Sequence, residues 1–242
     1  MQGIQLIAAL LLAAWPILAR GQSPATLCPG DKSLNESRIK AGRWNLQVTA
    51  KRAGQAESMH GQQEIRRITV AGKPAFQLVQ VYHSTRHTAT DTTVMLAEGL
   101  VPVSHRSHSN RRQLDLNFAG RSVTGRTVTG GTATPFQRET AEPVFDSSAL
   151  ELILAAVPLK SGFRTRMPMY IHEQNGLVWH DLTVLGEESV QMGSAAVPAW
   201  QVEVKTPTFN ITYLISKQTQ DALGMRTSNA NMSFQMKREP IS

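Results

Sequence analysis

The chain has 242 residues, a formal net charge of +7 and a single cysteine, and 41% of its residues are hydrophobic. One cysteine excludes an intramolecular disulfide, so a hydrophobic core must hold the fold together. The length is sufficient for one large β domain or two small ones.

The chain begins with an apolar segment. Residues 7–19 read IAALLLAAWPILA, and Gly21 follows shortly after. This pattern predicts a secretory signal over residues 1–21, with an uncleaved membrane anchor as the alternative. Pro16 and the shortness of the run favour the signal, because a membrane-spanning helix needs about 20 apolar residues. We therefore predict an exported, soluble protein of the periplasm.

Residues 22–41 are predicted to form a flexible N-terminal lead, followed by a single β-rich domain over residues 42–238. The lead contains Cys28, in the sequence ATLCPGD. We interpret Cys28 as an unpaired thiol, with intermolecular pairing as the alternative.

The first part of the domain contains segments with alternating apolar residues, which is the pattern of β-strands. In residues 75–82, AFQLVQVY, both alternating sets are mostly apolar, so this strand is expected to be covered on both faces. In QLDLNF, Leu114, Leu116 and Phe118 alternate with polar residues, which predicts a half-buried strand. Residues 120–131 are rich in Gly, Thr and Val and predict a bulged or strongly bent strand.

Residues 82–91, YHSTRHTATD, raise the question of a metal site. His83, His87 and Asp91 are four residues apart, so on a helix they would share one face and could bind zinc. The serine and threonines of this segment favour extended structure over a helix interior. In a strand, residues four apart are about 13 Å from each other, too far for two imidazoles to share a zinc ion. We therefore predict a strand end, a polar turn and a second strand, in which His83 and Asp91 could still pair across the turn.

One segment, FDSSALELILAAVPLKSG, has helical periodicity. Ser148 and Glu151 predict a capping box at its start, and Pro158 and Gly162 predict its end. We expect a helix of about ten residues on an open face of the sheet, either as a core helix or as a lid over a cavity. Its apolar stripe consists of Leu150, Ile153, Leu154 and Val157.

Later segments repeat the alternating pattern, and Gly, Pro and Asn residues separate them. Short strands with such turns predict a mainly β fold with an antiparallel sheet, either a sandwich or a curled half-barrel. These segments are residues 200–205, 209–216 and 232–237.

Catalytic signatures are absent from the sequence. It contains no G-x-S-x-G, H-E-x-x-H, P-loop or G-x-G-x-x-G motif. The adjacent carboxylates Glu187 and Glu188 would point to opposite faces of a strand. We therefore predict a protein that is not an enzyme, with no catalytic residues, no metal site and no cofactor.

Positive charge is concentrated in the first half of the chain. Residues 22–138 contain 16 Lys and Arg against 7 Asp and Glu, a net of +9, whereas residues 139–242 contain 8 against 11, a net of −3. Such a distribution can steer an acidic protein or an anionic membrane surface towards the basic half. Basic residues that only solvate the outer face of a sheet are the alternative, and no nucleic-acid partner is expected.

Several motifs resemble those of an uncharacterised bacterial exported family, a domain of unknown function. They are a Phe145–Asp146 pair that opens the helix, a PL-x-x-G turn, a V-x-G-E-E-x-V strand, an AW-x-V strand and a strand that ends in I-S-K. A G-L-x-P turn at residues 99–102 adds to the resemblance, which covers about residues 42–238. These motifs are structural, and none of them carries a catalytic residue.

The resemblance implies a curled antiparallel sheet, a half-barrel or open barrel, with one short helix packed against its concave face. This architecture is similar to that of the periplasmic lipoprotein carriers LolA and LolB, which hold acyl chains in the concavity. The first functional hypothesis is therefore a protein that binds or carries a lipid or another apolar ligand. The alternative is a cell-envelope scaffold or assembly factor that docks an acidic partner or a membrane surface through the basic half. The large apolar side chains expected near a concavity are Trp44, Phe118, Trp179, Trp200 and Tyr213.

Overall fold

The computed structural model describes residues 25–52, 55–84, 88–174, 176–228 and 232–241. The predicted secretory signal lies outside these residues. Within them, the chain forms fifteen strands, one α-helix (α1, Leu150–Ala156) and several short 3-10 turns, and no helix is long and apolar enough to cross a membrane. The strands are β1 (Gly42–Arg52), β2 (Gln55–Val70), β3 (Lys73–His83), β4 (Thr88–Leu96), β5 (Pro102–Ser109), β6 (Arg112–Ala119), β7 (Ser122–Thr129), β8 (Thr132–Glu139), β9 (Phe145–Asp146), β10 (Arg164–Ile171), β11 (Gly176–Met192), β12 (Ala195–Lys205), β13 (Asn210–Ser216), β14 (Ala222–Ser228) and β15 (Met232–Pro240). The 3-10 turns are Glu36–Arg38, Glu98–Leu100, Ser147–Ala149 and His172–Gln174.

All fifteen strands belong to one sheet, which confirms the predicted mainly β fold. The order runs from β8 back to β1, continues with β15 and then descends to β9. Two antiparallel meanders are thus joined where β1 pairs with β15, and the short strand β9 adds to β10 in parallel. As a result, β8 and β9 form the two outer edges of the sheet although they are consecutive in the sequence.

Strand β7 lies where a bulged or strongly bent strand was predicted. It pairs with both neighbours in continuous register, so the predicted bulge is wrong. Gly125 explains the difference, because a Cβ at this position would clash with the carbonyl oxygen of Asp115 on β6. The glycine permits a close approach of two strands instead of marking an extra residue.

The helix α1 packs against the concave face of the curled sheet and is buried on all sides. The consecutive residues Leu152, Ile153 and Leu154 are each at most 1% exposed, although they point in different directions from the helix axis. The core cluster around them contains Phe76 from the first meander and Val202 from the second, so the sheet wraps around the helix. Of the two predicted alternatives, α1 is a core helix.

The start of the helical segment differs from the predicted capping box. Oδ1 of Asp146 accepts a hydrogen bond from the backbone amide of Ser148 at 3.0 Å and caps the 3-10 turn that leads into α1. Glu151 accepts a hydrogen bond from Nε2 of Gln63 at 2.8 Å instead of reaching back to the cap. Because the chain enters α1 through a 3-10 turn, Ser148 lies inside that turn and not at the N-cap position.

Residues 25–41 belong to the predicted flexible lead but are packed against the domain. The amide of Leu27 donates to the carbonyl of Arg166 on β10 at 2.8 Å, and the amide of Asn35 donates to a carbonyl at the end of α1 at 2.9 Å. The prediction is wrong for this part of the lead because its apolar side chains complete the main core. Cys28 is a free, half-buried cysteine, and burial raises the pKa of its thiol. The buried apolar residues of the segment are Leu27, Leu34 and Ile39.

The sheet curls so far that its edge strand β9 lies against β5. Side chains make this contact, since β9 pairs its backbone with β10 and β5 pairs with β4 and β6. We call this contact the seam, defined as the place where β4–β8 face β9, β10 and the turn His172–Gln174.

Candidate functional site

Three buried polar side chains meet at the seam and are here called the His105 cluster: Thr93, His105 and Asp146. The hydroxyl of Thr93 donates to Oδ2 of Asp146 at 2.9 Å. Nδ1 of His105 lies 3.2 Å from the same carboxylate oxygen and 3.0 Å from Oγ1 of Thr93. Because the Thr93 proton is directed to Asp146, the N–H at Nδ1 of His105 is the donor in both contacts.

Strand register and chain reversal bring the cluster together. Thr93 on β4 lies directly opposite His105 on β5, so both side chains project from the same face of the sheet. Asp146 is the last residue of β9, at the opposite edge of the sheet. Its Oδ1 caps the turn before α1 and its Oδ2 contacts β4 and β5, so one carboxylate ties the helix to the seam.

Two opposing effects set the pKa of His105. Burial lowers this pKa because the imidazolium loses its hydration, but the negative charge of Asp146 and the hydrogen bond to it raise the pKa more. Asp91 adds a smaller contribution in the same direction. The pKa of His105 is therefore raised above its usual 6.5, and the fold favours the charged imidazolium.

A cavity of about 200 Å³ opens beside the His105 cluster and is here called the seam pocket. Two atoms of its lining residues, Oδ1 of Asp91 and Nδ1 of His172, are buried and have no hydrogen-bond partner among the described residues. Burial lowers the pKa of His172, which favours the neutral ring. The lining residues are Asp91, His105, Ser107, Arg112, Leu114, Leu116, Asp146, Ser147, Ser148, Tyr170, His172 and Glu173.

The outer part of the seam is held by an ion pair and an aromatic pair. Nη2 of Arg112 donates to a carboxylate oxygen of Glu173 at 2.8 Å. Burial raises the pKa of Glu173, but the hydrogen bond and charge of Arg112, together with a backbone hydrogen bond and the nearby His172, outweigh burial, and the pKa lies below its usual value. The rings of Phe118 and Tyr170 meet edge to face with their centroids 5.9 Å apart. These contacts join β6 to β10 and the following turn, so the seam pocket is enclosed from both meanders.

The five aromatic residues predicted to lie near a concavity do not line one common cavity. Trp44, Trp200 and Tyr213 pack against the main core that surrounds α1. Phe118 lies at the seam against Tyr170. Trp179 alternates with buried neighbours on β11 and faces the other way, where the guanidinium of Arg166 lies 4.6 Å from its ring centre.

Within the segment YHSTRHTATD, β3 ends at His83 and β4 begins at Thr88, which confirms the two predicted strands. Residues 85–87, with His87 and the predicted turn, lie outside the described residues. His83 lies opposite Thr88, whereas Asp91 lies opposite Gln80, so the pairing of His83 with Asp91 across the turn is wrong. Over the described residues, no group of three or more His, Cys, Asp or Glu side chains is placed to bind a metal ion.

The outer face of β5–β7 carries a row of charges. Arg106, Asp115 and Arg126 lie opposite one another in register, and the Nε atoms of the two arginines are 3.9 and 2.8 Å from the Asp115 carboxylate. Both arginine side chains are more than half exposed, at 71% and 61%. One acid between two guanidiniums leaves one net positive charge on this face.

Sequence reasoning missed the seam pocket. The sequence identifies Asp146 only as part of a structural motif. The local signal at His105 is weak, because a histidine whose side chain points to the inner face of a sheet is compatible with many folds. Nothing near either residue indicates that β9 returns to β5. The pocket depends on the extent of curling, which is a property of the whole sheet.

The geometry provides a polar cavity with donors and acceptors on both sides of the seam. A search of curated protein sequences finds no match to this chain. A family of proteins matches residues 37–227, a range that includes the His105 cluster and the whole lining of the seam pocket. The chain therefore belongs to the family described as "Protein of unknown function (DUF3108)".

Proposed function

We propose that this protein is an exported, non-catalytic binding protein of the cell envelope, and that its seam pocket binds a small uncharged molecule rich in hydroxyl groups. The observation that carries the proposal is the buried Oδ1 of Asp91, an acceptor without a donor in the pocket lining. Leaving such a group unpaired costs about 1–3 kcal/mol. A ligand hydroxyl that donates to Asp91 recovers this free energy.

The charges of the lining disfavour an anionic ligand. Arg112 pairs with Glu173 and His105 with Asp146, which leaves the carboxylate of Asp91 as the unpaired charge. Two like charges 4 Å apart repel by about 4 kcal/mol at an effective dielectric constant of about 20. An anionic ligand would therefore be repelled by Asp91.

The remaining polar groups match hydroxyls that both donate and accept. Ser107, Ser147, Ser148 and Tyr170 contribute hydroxyls to the lining. Neutral His172 can either donate or accept at Nδ1, depending on its tautomer. At about 200 Å³ the cavity lies below the range of about 300–1,000 Å³ typical of drug-sized ligands, so a molecule of monosaccharide size is the expected class.

This geometry gives less support to an apolar ligand on the concave face. The resemblance to the lipoprotein carriers implies a concavity that is open to acyl chains, but α1 packs there and is buried on all sides. Catalysis by the His105 cluster would need a nucleophile at Nε2 of His105. The contacts of this ring in the described chain involve Nδ1, Thr93 and Asp146, an arrangement that orients the ring and ties strands together.

Thermal unfolding of the purified protein tests the proposal. Neutral monosaccharides and polyols are compared with the matching sugar acids and amino sugars at equal ionic strength. At a ligand concentration ten times Kd, binding adds about 1.4 kcal/mol of stability. For a chain of this size we expect Tm to rise by about 3–6 °C.

Two variants locate the binding. Asp91→Asn keeps the side-chain shape but replaces the carboxylate, and we expect it to weaken binding about tenfold. Asp115→Asn on the outer face of the sheet is the matched control and should bind like the unmodified protein. Binding of sugar acids as strong as that of neutral sugars, no binding by any neutral compound, or unchanged binding by Asp91→Asn would contradict the proposal.

A second candidate, a cell-envelope scaffold, is favoured by the charges on the outer face of β5–β7. Arg106 and Arg126 present exposed guanidiniums, which bind phosphate groups well. We propose for this candidate that the face docks on anionic lipid. Vesicles of phosphatidylcholine with and without phosphatidylglycerol test it by co-sedimentation.

Docking should need the anionic lipid, weaken at high salt because of charge screening, and weaken further in the double variant Arg106→Gln/Arg126→Gln. The control pair Lys205→Gln/Arg226→Gln removes two cations from the second meander. Binding that is the same at low and high salt would count against this candidate.

A further inference from the structure

The strands β6–β8 (Arg112–Glu139), here called the flap, meet the second meander through side chains. The flap pairs its backbone with β5, and no strand of the second meander pairs with it in the described sheet. Under the flap lies a small hydrophobic cluster, separate from the main core, that contains Val123 of β7 and Tyr170 of β10. The flap can therefore lift from the second meander without breaking a backbone ladder.

His172, in the turn after β10, is held between two strands of the flap. Its Nε2 lies 3.3 Å from Oγ1 of Thr127 on β7, and its ring lies against Phe136 on β8 with the ring centres 5.0 Å apart. Its Nδ1 is buried and has no hydrogen-bond partner among the described residues. This arrangement suits a neutral imidazole, because a ring whose Nε2 donates to Thr127 carries no proton at Nδ1.

A protonated His172 does not fit the closed flap. The imidazolium carries an N–H group at both nitrogens, so a charged donor at Nδ1 would be buried without an acceptor. The face of the Phe136 ring attracts a cation, but this attraction is smaller than the cost of a buried, unpaired charge. When the flap lifts, Nδ1 gains access to water and this cost disappears.

The charged groups around His172 are mostly positive. Burial is the main cause that lowers the pKa of His172, and the cations Arg112 and Arg138 of the flap and His105 of β5 lower it further. Glu173 raises this pKa but already accepts a hydrogen bond from Arg112 at 2.8 Å. The other titratable groups of the seam pocket, which are not hydrogen-bonded to His172 in the described chain, are Asp91, Asp146 and Tyr170.

We propose that His172 is an acid-sensitive latch, and that its protonation releases the flap from the second meander and opens the seam pocket. The closed flap binds a proton at His172 less well than the open flap, so closure is favoured above pH 6.5 and weakened as pH falls. If the open flap has the usual pKa of 6.5 and the closed flap excludes the proton, the open population grows by up to about 25-fold between pH 7 and pH 5. The latch is a property of the fold, whereas release of a ligand in acid rests on the proposed function.

Thiol accessibility in the protein without ligand measures the opening. Val123, which is 0% exposed under the flap, is replaced by cysteine in a Cys28→Ser background, and its reaction with 4,4′-dithiodipyridine is timed at pH 7 and pH 5. Each rate is divided by that of the same variant unfolded in urea at the same pH, because the thiolate is the reactive form. Val48→Cys in β1 is the matched control, since Val48 is 2% exposed and packs in a different cluster.

We expect the relative rate at Val123→Cys to rise several-fold at pH 5, with about 25-fold as the limit, and the rate at Val48→Cys to stay constant. Glu173 keeps its charge at pH 5 because its pKa lies below the usual 4.5, so its ion pair with Arg112 does not cause the change. His172→Gln can still hydrogen-bond to Thr127 but cannot titrate, and should abolish the rise. His108→Gln, which replaces an exposed histidine of β5, should leave the rise unchanged.

An NMR titration of the unmodified protein keeps the test valid if His172→Gln fails to fold. The ring protons of Phe136 should shift together with the protonation of His172, below pH 6.5. An equal rise at Val48→Cys, a rise that persists in His172→Gln, no rise at Val123→Cys, or Phe136 signals that do not follow His172 would overturn the proposal. Lower accessibility at pH 5 would also overturn it, because the imidazolium would then pair with Asp91 across the pocket and tighten the seam. None of these results depends on whether sugars bind at the seam.

Discussion

The substitution Asp146→Asn tests how the seam is held together. The asparagine keeps an oxygen that can cap the turn before α1, as Oδ1 of Asp146 does for Ser148 at 3.0 Å. It replaces Oδ2 with an NH₂ group, which cannot accept the hydrogen bonds of Thr93 and His105. The variant thus isolates the seam contacts from the helix cap.

The cost of Asp146→Asn depends on the charge of His105. When the imidazole is neutral, its tautomer can change so that Nδ1 accepts from the asparagine NH₂, and the Thr93 hydroxyl can accept as well. The expected loss is then about 0.5–1 kcal/mol. When His105 is charged, Nδ1 cannot accept, and the variant loses a buried charge-assisted hydrogen bond worth about 1.5–3 kcal/mol.

The sign of the pH dependence follows from the pKa of His105. This pKa is raised in the folded protein, so its contribution to stability is fully present below the unfolded value of about 6.5 and is lost as pH rises through the folded value. Asp146→Asn removes the cause of the shift. We therefore expect the stability difference between the unmodified protein and the variant to be largest below pH 6 and to shrink towards pH 9.

Urea unfolding at several pH values measures this difference. Asp181→Asn is the matched control: its carboxylate is 56% exposed and lies 3.4 Å from Arg166, so it should change stability by less than about 0.5 kcal/mol at every pH. Asp146→Ala removes the cap as well and should cost about 4 kcal/mol. A loss in Asp146→Asn that is constant between pH 5 and 9, or that grows with pH, would refute the role assigned to His105.

Three further changes have clear expectations in urea unfolding. Gly99→Ala places a Cβ at φ +64° against the backbone of the facing N-terminal turn and should lower the free energy of unfolding by about 3 kcal/mol. The control Gly130→Ala, at φ +57° in open space, should lower it by about 1 kcal/mol. Equal losses would contradict the packing of that turn. Leu152 in α1 is 1% exposed, so Leu152→Ala leaves a cavity in the main core and should lower the free energy of unfolding by about 3 kcal/mol. A loss below about 1 kcal/mol would show that the helix is not a core element. A double-mutant cycle with Arg226→Gln and Glu188→Gln should give a coupling energy below about 1 kcal/mol that falls as salt is added, because both side chains are partly exposed. A larger coupling energy that does not change with salt would contradict a solvent-screened ion pair.

The parts of the fold that could be predicted depend on local periodicity. Leu114 and Leu116 are buried on β6 as their alternation with polar residues indicates, because side chains of a strand point to opposite faces in turn. The apolar residues of α1 are likewise buried. The cap was misread because Glu151 finds its partner in Gln63, a residue 88 positions away, and no local pattern contains that information.

The predicted flexible lead failed for a related reason. Leu27, Leu34 and Ile39 are spaced seven and five residues apart, and no single strand or helix repeat fits both spacings. They are buried because they pack over an open strand edge and the end of α1, and these two surfaces exist only in the assembled sheet. Irregular spacing in a segment that contains Leu and Ile therefore does not by itself predict flexibility.

The candidate site was beyond local reasoning for a stronger reason. His105 and Asp146 are far apart in the sequence, and they belong to strands at unconnected places in the sheet order. A slightly flatter sheet would keep every strand, every register and every alternation pattern, and it would still separate the two residues. The aromatic residues predicted to mark a ligand site were instead distributed among the core, the seam and the outer face.

The absence of a backbone ladder between β5 and β9 links the closure of the seam to binding in its pocket. The contacts across the seam are side-chain contacts, such as those of Asp146 with Thr93 and of Arg112 with Glu173. A ligand that touches residues from both meanders binds only when the seam is closed. Binding therefore stabilises the closed seam, and seam closure favours binding by the same free energy. Weakening the seam with Asp146→Asn should then lower affinity for the proposed ligand most strongly below pH 6, where the substitution costs most. Asp91→Asn should lower affinity over the same pH range with a weaker pH dependence, because Asp91 contributes less than Asp146 to the raised pKa of His105. The comparison separates a residue that contacts the ligand from one that holds the pocket in shape.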